Sequence, residues 1–178
     1  MLLAPTNAYS EQDEACLSPD TITALESAGG TSIWMVKDIV MHDYTYSKRS
    51  KQSPDDLPGF FFDQWNSKLI DNLPAPNKEF GLNILTRTFT DDDIKHLKRF
   101  EKLKILTLNC CSLTDRSVSQ LKELKSLKYL DIRSIDLTEN GIAELPELKC
   151  LRYLRQNVEN YSHSVSFSIF PILPTSYF

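Results

Sequence analysis

Three histidines, four cysteines and one run of three aspartates are the side chains of this 178-residue chain best suited to chemistry, and their spacing limits what they can do. His42, His96 and His163 stand far apart. His42-Asp43 is the nearest approach to an acid-base pair, but adjacent residues on a helix or strand point apart, and a general base must reach the proton it removes. Cys110-Cys111 has the form of a redox pair; the plainer reading is two small residues closing a strand, with Cys111 inward and inert. Cys16, Cys110, Cys111 and Cys150 show neither C-x-x-C spacing nor a histidine at metal-ligand distance, and read as reduced thiols. Asp91-Asp92-Asp93 lacks the spaced oxygen ligands of a calcium loop and reads as a solvated helix start. Gly29-Gly30 has no strand before it and no Lys-Ser or Lys-Thr after it, so the P-loop and dinucleotide fingerprints are missing. No catalytic residue, metal or cofactor is expected, and the chain reads as a non-enzyme.

Whatever these side chains do must be set by the elements that carry them. The apolar fraction of 41% suffices for a core, and 25% charge of both signs is not the composition of a disordered chain. A net charge of -4 and pI near 5.4 lack the basic excess that phosphate neutralisation needs, which argues against nucleic acid as a partner. The richest apolar run, residues 33–41, is broken by Lys37 and Asp38 and falls short of the roughly 20 residues of a membrane span, so no membrane partner is expected. Residues 1–10 have no cationic n-region, and a cytoplasmic or nuclear address is expected.

The decisive signal is an internal period of 24 residues between about Leu82 and Leu154. Thr90-Asp91, Thr114-Asp115 and Thr138-Glu139 recur at that interval, preceded by Phe89, Leu113 and Leu137. Apolar residues follow in step at Ile94, Leu97, Phe100 and Leu103, at Val118, Leu121, Leu124 and Leu127, and at Ile142, Leu145, Leu148 and Leu151. The next strand starts at Leu82-x-Ile84, Leu106-x-Leu108 and Leu130-x-Ile132. Spacing of 2 predicts a strand and spacing near 3 a helical or 3-10 segment with one inward face. Each Thr suits an N-cap, and the acid after it faces the positive end of the short helix dipole.

The stretch LKILTLNCCSLTDRSVSQLKELKSLKYLDI resembles a leucine-rich repeat of the short LxxLxLxxTxLTDxxLxxLxxL kind. The resemblance implies an α/β leucine-rich repeat solenoid, a short right-handed arc with parallel strands on its concave face and partners gripped by strand residues between the buried leucines. Cys111 falls where many such repeats carry Asn, Cys or Thr; Arg87 and Ile135 depart from that pattern at the equivalent places.

Composition divides the chain. Residues 1–80 hold 12 acids and 6 bases, whereas 81–154 hold 11 acids and 13 bases, so an acidic region precedes a slightly basic array. The expected organisation is a mobile tail over 1–17, a helical N-terminal region and cap over 18–80, three repeats over 81–156 and an irregular C-terminal tail over 157–178. Ser18-Pro19-Asp20 predicts a capped helix to about Ala28, ended by Gly29-Gly30. Ile33, Trp34, Val36, Ile39 and Val40 fit a second helix or a strand. Lys48, Arg49 and Lys51 mark a basic connector. Phe60, Phe61, Phe62, Trp65, Leu69, Ile70 and Leu73 predict an amphipathic helix that covers the first repeat. At the far end Gln156 occupies a core slot of a fourth strand, and Val165, Phe167 and Ile169 alternate as in a strand that could pair with the last repeat.

Alternation sends Asn83, Leu85, Thr107, Asn109, Asp131 and Arg133 to the face opposite the core, with Tyr129, Tyr153 and Arg155 at the edges. Tyr and Arg often dominate interface energy, which makes Tyr129, Arg133, Tyr153 and Arg155 the expected hot spot. The reading is a protein-protein interaction module. A second reading follows a faint similarity of Leu57-Pro58 and Leu73-Pro74 to an F-box, with the 57–73 helix docking a ubiquitin-ligase adaptor. A third, a mitochondrial assembly or accessory factor, follows a resemblance to the short-repeat factor B family of ATP synthase.

Overall fold

The 24-residue spacing reappears as strand pairing, for Leu82, Leu106, Leu130 and Leu154 stand side by side in neighbouring strands. A computed structural model describes residues 17–38, 43–47, 56–109, 111–134, 136–148, 151, 153–156 and 167–171. The chain is α/β, with a mostly parallel sheet and several short helices. Strands β1 (Thr31–Asp38), β2 (Asp43–Ser47), β3 (Leu57–Phe62), β4 (Phe80–Leu85), β5 (Leu103–Asn109), β6 (Tyr129–Arg133), β7 (Tyr153–Gln156) and β8 (Phe167–Pro171) lie in the order β2-β1-β3-β4-β5-β6-β7-β8. From β3 to β7 all neighbours are parallel; β1 runs antiparallel to both β2 and β3, and β8 antiparallel to β7.

Short helices return the chain from one parallel strand to the next. They are α2 (Ser67–Ile70), a 3-10 turn Asp91–Asp93 leading into α3 (Ile94–Leu97), α4 (Arg116–Leu121), and α5 (Glu139–Glu144) continued by a 3-10 turn Leu145–Glu147. Their apolar positions pack with Leu82, Ile84, Leu106, Leu108, Leu130 and Ile132 into the main core. Fully burying one such side chain contributes about 1.5–3 kcal/mol. No single unit can bury its own leucines, so the stack supplies the cooperativity. No described helix is long and apolar enough to cross a membrane.

The N-terminal region follows its predicted signals in part. Helix α1 (Pro19–Ser27) begins at Ser18, whose Oγ accepts the Thr21 N–H at 3.4 Å, and Gly29, at a φ of 95°, turns the chain out of it. Residues 31–38 take the strand alternative. The amphipathic helix expected over 57–73 is corrected by the structure: 57–62 is β3, parallel to β4, and only Ser67–Ile70 is helical. Pro58 and Gly59 oppose a helix there, and three consecutive phenylalanines serve a strand buried on both faces, with Phe60 and Phe62 in the main core and Phe61 against the other side. The cover beside β4 is therefore a strand, and within 57–73 the chain is helical only at Ser67–Ile70.

At the other end β7 does form, with Gln156 opposite Ile132, and β8 pairs with it through Leu154 opposite Phe170. The tail expected to be irregular over 157–178 thus holds a strand at Phe167–Pro171; the rest of 157–178 lies outside the described residues. So do 1–16, His42, the connector 48–53, Cys110 and Cys150.

Candidate functional site

Strand pairing sorts the strand positions on the alternate register from the leucines into three rows. Ile33, Gly59, Gly81, Ile105, Tyr129 and Tyr153 form the first; Phe61, Asn83, Thr107, Asp131 and Arg155 the second; Leu85, Asn109 and Arg133, at the carboxyl ends of β4, β5 and β6, the third. Neighbouring positions in a row are about 4.8 Å apart. All nine residues expected to bind a partner belong to these rows, but they differ in accessibility.

The first row is a second core. Ile33, Met35, Ile105 and Tyr129 are buried together, with Leu57 and Phe61 packed against them. A Cβ on Gly81 would stand 2.6 Å from Met35 Cγ, and one on Gly59 2.9 Å from the same atom. These two glycines, opposite each other on β3 and β4, form the trough in which Met35 lies. Tyr129 is correspondingly a core residue, not the exposed anchor that alternation predicted.

In the second row Asn83, Thr107 and Asp131 are only 4%, 7% and 5% exposed. Asn83 Oδ1 is buried without a hydrogen-bond partner among the described residues. Asp131 accepts from Arg133 Nε at 3.5 Å and Nη2 at 3.4 Å. Tyr153 and Arg155 occupy strand positions beside Tyr129 and Asp131, and their side chains lie outside the described residues.

The third row is the accessible part. Leu85 is 40% exposed, one of two large apolar side chains so placed among the described residues. Arg133 keeps 38% of its side chain in solvent, while the carboxylate it grips is 7% exposed. Asn109 is half-buried, with an occluded Oδ1 that lacks a partner among the described residues. Exposed Arg87, Thr88 and Ser112 continue this rim, tied by the Ser112 hydroxyl donating to the Arg87 carbonyl at 3.0 Å. These turn residues escape sequence reasoning because they lie beyond the strand alternation.

Asp91 and Asp115, each following the threonine of a helix start, also bond beyond their own units. Asp91 accepts from the Thr114 N–H at 2.9 Å and the Thr114 hydroxyl at 2.6 Å, and Asp115 makes the same pair with Thr138 at 2.9 and 2.6 Å. Each acid thereby holds the threonine of the following unit. Thr114 and Thr138 hydroxyls also accept from Arg116 and Asn140 N–H groups, which is the predicted capping role. Thr90 has no preceding acid and instead donates both its N–H and its hydroxyl to Asp93. The other Asp93 oxygen accepts from Trp65 Nε1 at 3.0 Å, and Trp65 stands edge-on to Phe62 and Phe89. Asp91 is buried and Asp93 half-buried, so the solvated helix start expected for the aspartate run holds only for Asp92.

The thiol and imidazole groups also have structural places. Cys111 is buried, its Sγ near the Ile84 and Asn109 carbonyls. His96 is not on an open helix face: its Nδ1 lies 2.5 Å from Asp71 Oδ1 and its side chain is 19% exposed. Among the described residues no three of His, Cys, Asp and Glu are placed to hold a metal. The Thr138 hydroxyl, then its N–H, holds the Asp115 carboxyl below its ordinary pKa, and Glu147 with Glu144 raises that of Lys122. An open cleft of about 380 Å³, lined by Lys98, Lys102, Glu123 and Lys125 among others, lies at the amino-terminal end of β5, the opposite end of the strand from the third row. No family model, curated protein or solved structure matches this chain.

Proposed function

We propose that the protein is a non-enzymatic protein-protein interaction module, a short leucine-rich repeat solenoid that binds a polypeptide partner on the sheet face away from its helices. The observation carrying this reading is the third row. Leu85, Asn109 and Arg133 stand side by side at the carboxyl ends of three parallel strands. Together they offer an exposed apolar side chain, an amide and an oriented guanidinium, the last of a residue type enriched at interface hot spots. The partner surface is accordingly narrower than alternation alone suggested: Asn83, Thr107, Tyr129 and Asp131 support it from below.

A binding surface built on paired strands is ordered before binding, which limits the entropy lost on association. Truncating a central interface residue typically costs 1–2 kcal/mol or more, about tenfold in Kd for each 1.4 kcal/mol. Leu85→Arg combined with Arg133→Gln is expected to abolish affinity capture of the partner identified by mass spectrometry, with the thermal transition almost unmoved. Retained capture by the double variant would overturn the assignment of this rim.

A further inference from the structure

The chemistry of the third row narrows what its partner presents. We propose that Leu85, Asn109 and Arg133 receive an extended acidic peptide segment, whose carboxylate seats on Arg133 and whose neighbouring apolar side chain packs on Leu85. This rests on the reading of that rim as the partner surface.

The Arg133 guanidinium carries the first part. Asp131 is nearly buried in the sheet and takes Nε and Nη2 from one edge of the planar group, which fixes the plane. Both contacts are long, at 3.5 and 3.4 Å, and Nη1 has no partner among the described residues, so the outer edge retains donors for a second acceptor. A carboxylate fits that edge with two parallel N–H···O bonds. The Asp131 charge behind the guanidinium offsets part of its attraction for an anion, so a dianion such as phosphate, which costs more to desolvate than a carboxylate, gains less here than at an unpaired arginine.

The two other members supply the peptide contacts. Asn109, beside Arg133 in register, has an amide oxygen lacking a donor, and its terminal torsion is soft enough to swing that oxygen toward a main-chain N–H. Leu85, beside Asn109, offers apolar surface that water now covers. Two strand spacings separate Leu85 from Arg133 by about 10 Å, the rise of about three residues of polyproline II chain at ~3.1 Å each, whose three-residue turn brings side chains i and i+3 to the same face. The fitting segment therefore reads apolar-x-x-acid.

The test uses the full chain and fluorescence anisotropy with labelled ten-residue peptides, acetylated and amidated, containing Leu-Thr-Thr-Glu at the centre. Matched peptides replace Glu by Gln, Leu by Ser, or Glu by phosphoserine. The Glu peptide is expected to bind at least about tenfold more tightly than the Gln peptide, a difference of about 1.4 kcal/mol. Arg133→Gln should erase that preference and Leu85→Ser the preference for Leu over Ser, each variant keeping a cooperative thermal transition. Equal affinity for the Glu and Gln peptides overturns the proposal, as does tighter Arg133-dependent binding of the phosphoserine peptide. If no peptide binds while Leu85→Arg still abolishes capture of a folded partner, the acidic-peptide assignment fails and the partner surface stands.

Discussion

Replacing Asp115 by alanine tests how one repeat is fastened to the next. The carboxylate accepts the Thr138 N–H at 2.9 Å and the Thr138 hydroxyl at 2.6 Å, with the Gly141 N–H as a further donor. Thr138 stands just ahead of α5, so the substitution unties the start of that helix from α4. A hydrogen bond to a charged group contributes about 1.5–3 kcal/mol net, but this acid lies at a solvated edge where water replaces part of the loss, which leaves about 2 kcal/mol for the whole set. For a domain of this size each kcal/mol moves Tm by ~2–4 °C, so a fall of ~4–8 °C is expected by calorimetry at pH 7.

Asp115→Asn keeps one acceptor and removes the charge, and adds a pH test. Because the folded-state pKa of Asp115 is lowered, chiefly by the Thr138 hydroxyl and then its N–H, the charge-dependent stabilisation is complete above the unfolded carboxyl pKa and is lost as pH falls through the folded value. The gap in Tm between wild type and Asp115→Asn should therefore be full at pH 7 and close below about pH 4. A change under about 1 °C for Asp115→Ala, or a gap that widens on acidification, would refute the inter-unit role.

Two other substitutions probe the interior. Gly81→Ala drives a methyl group into Met35 and should cost about 1–3 kcal/mol in urea denaturation; Met35→Ala in the same chain should recover part of this, and strict additivity would contradict the trough. Ser117 is fully buried and its hydroxyl has no partner among the described residues, so Ser117→Ala should leave stability unchanged or raise it. A loss above about 1 kcal/mol in the same assay would mean that the hydroxyl is satisfied after all.

How much was legible in the chain depended on which interactions are local. The 24-residue period predicted strands at Leu82, Leu106 and Leu130 and helical returns after Thr90, Thr114 and Thr138, because spacing along one segment reports which face is apolar. Residues 57–62 misled because a strand buried on both faces shows no alternation, and its phenylalanines fit a helical stripe equally well. Alternation correctly put Asn83, Thr107, Tyr129 and Asp131 opposite the helices, yet it cannot say whether that face is covered. The burial of Tyr129 with Ile33 and Met35 depends on β1 pairing with β3, a contact between distant segments. The Asp-Thr links were hidden for a related reason: capping rules look within one helix, whereas each acid reaches into the next unit.

Those links also govern how such an array can change length. Each joins an acid to a threonine 23 residues onward, so a duplicated or deleted block of 24 residues within the array meets a compatible donor at the new junction. An insertion of any other size between the two partners must be looped out, or it strands the acid and shifts every leucine out of its slot. Unit size is consequently under tight physical constraint while unit number is not, which makes whole-unit duplication the change this architecture tolerates best.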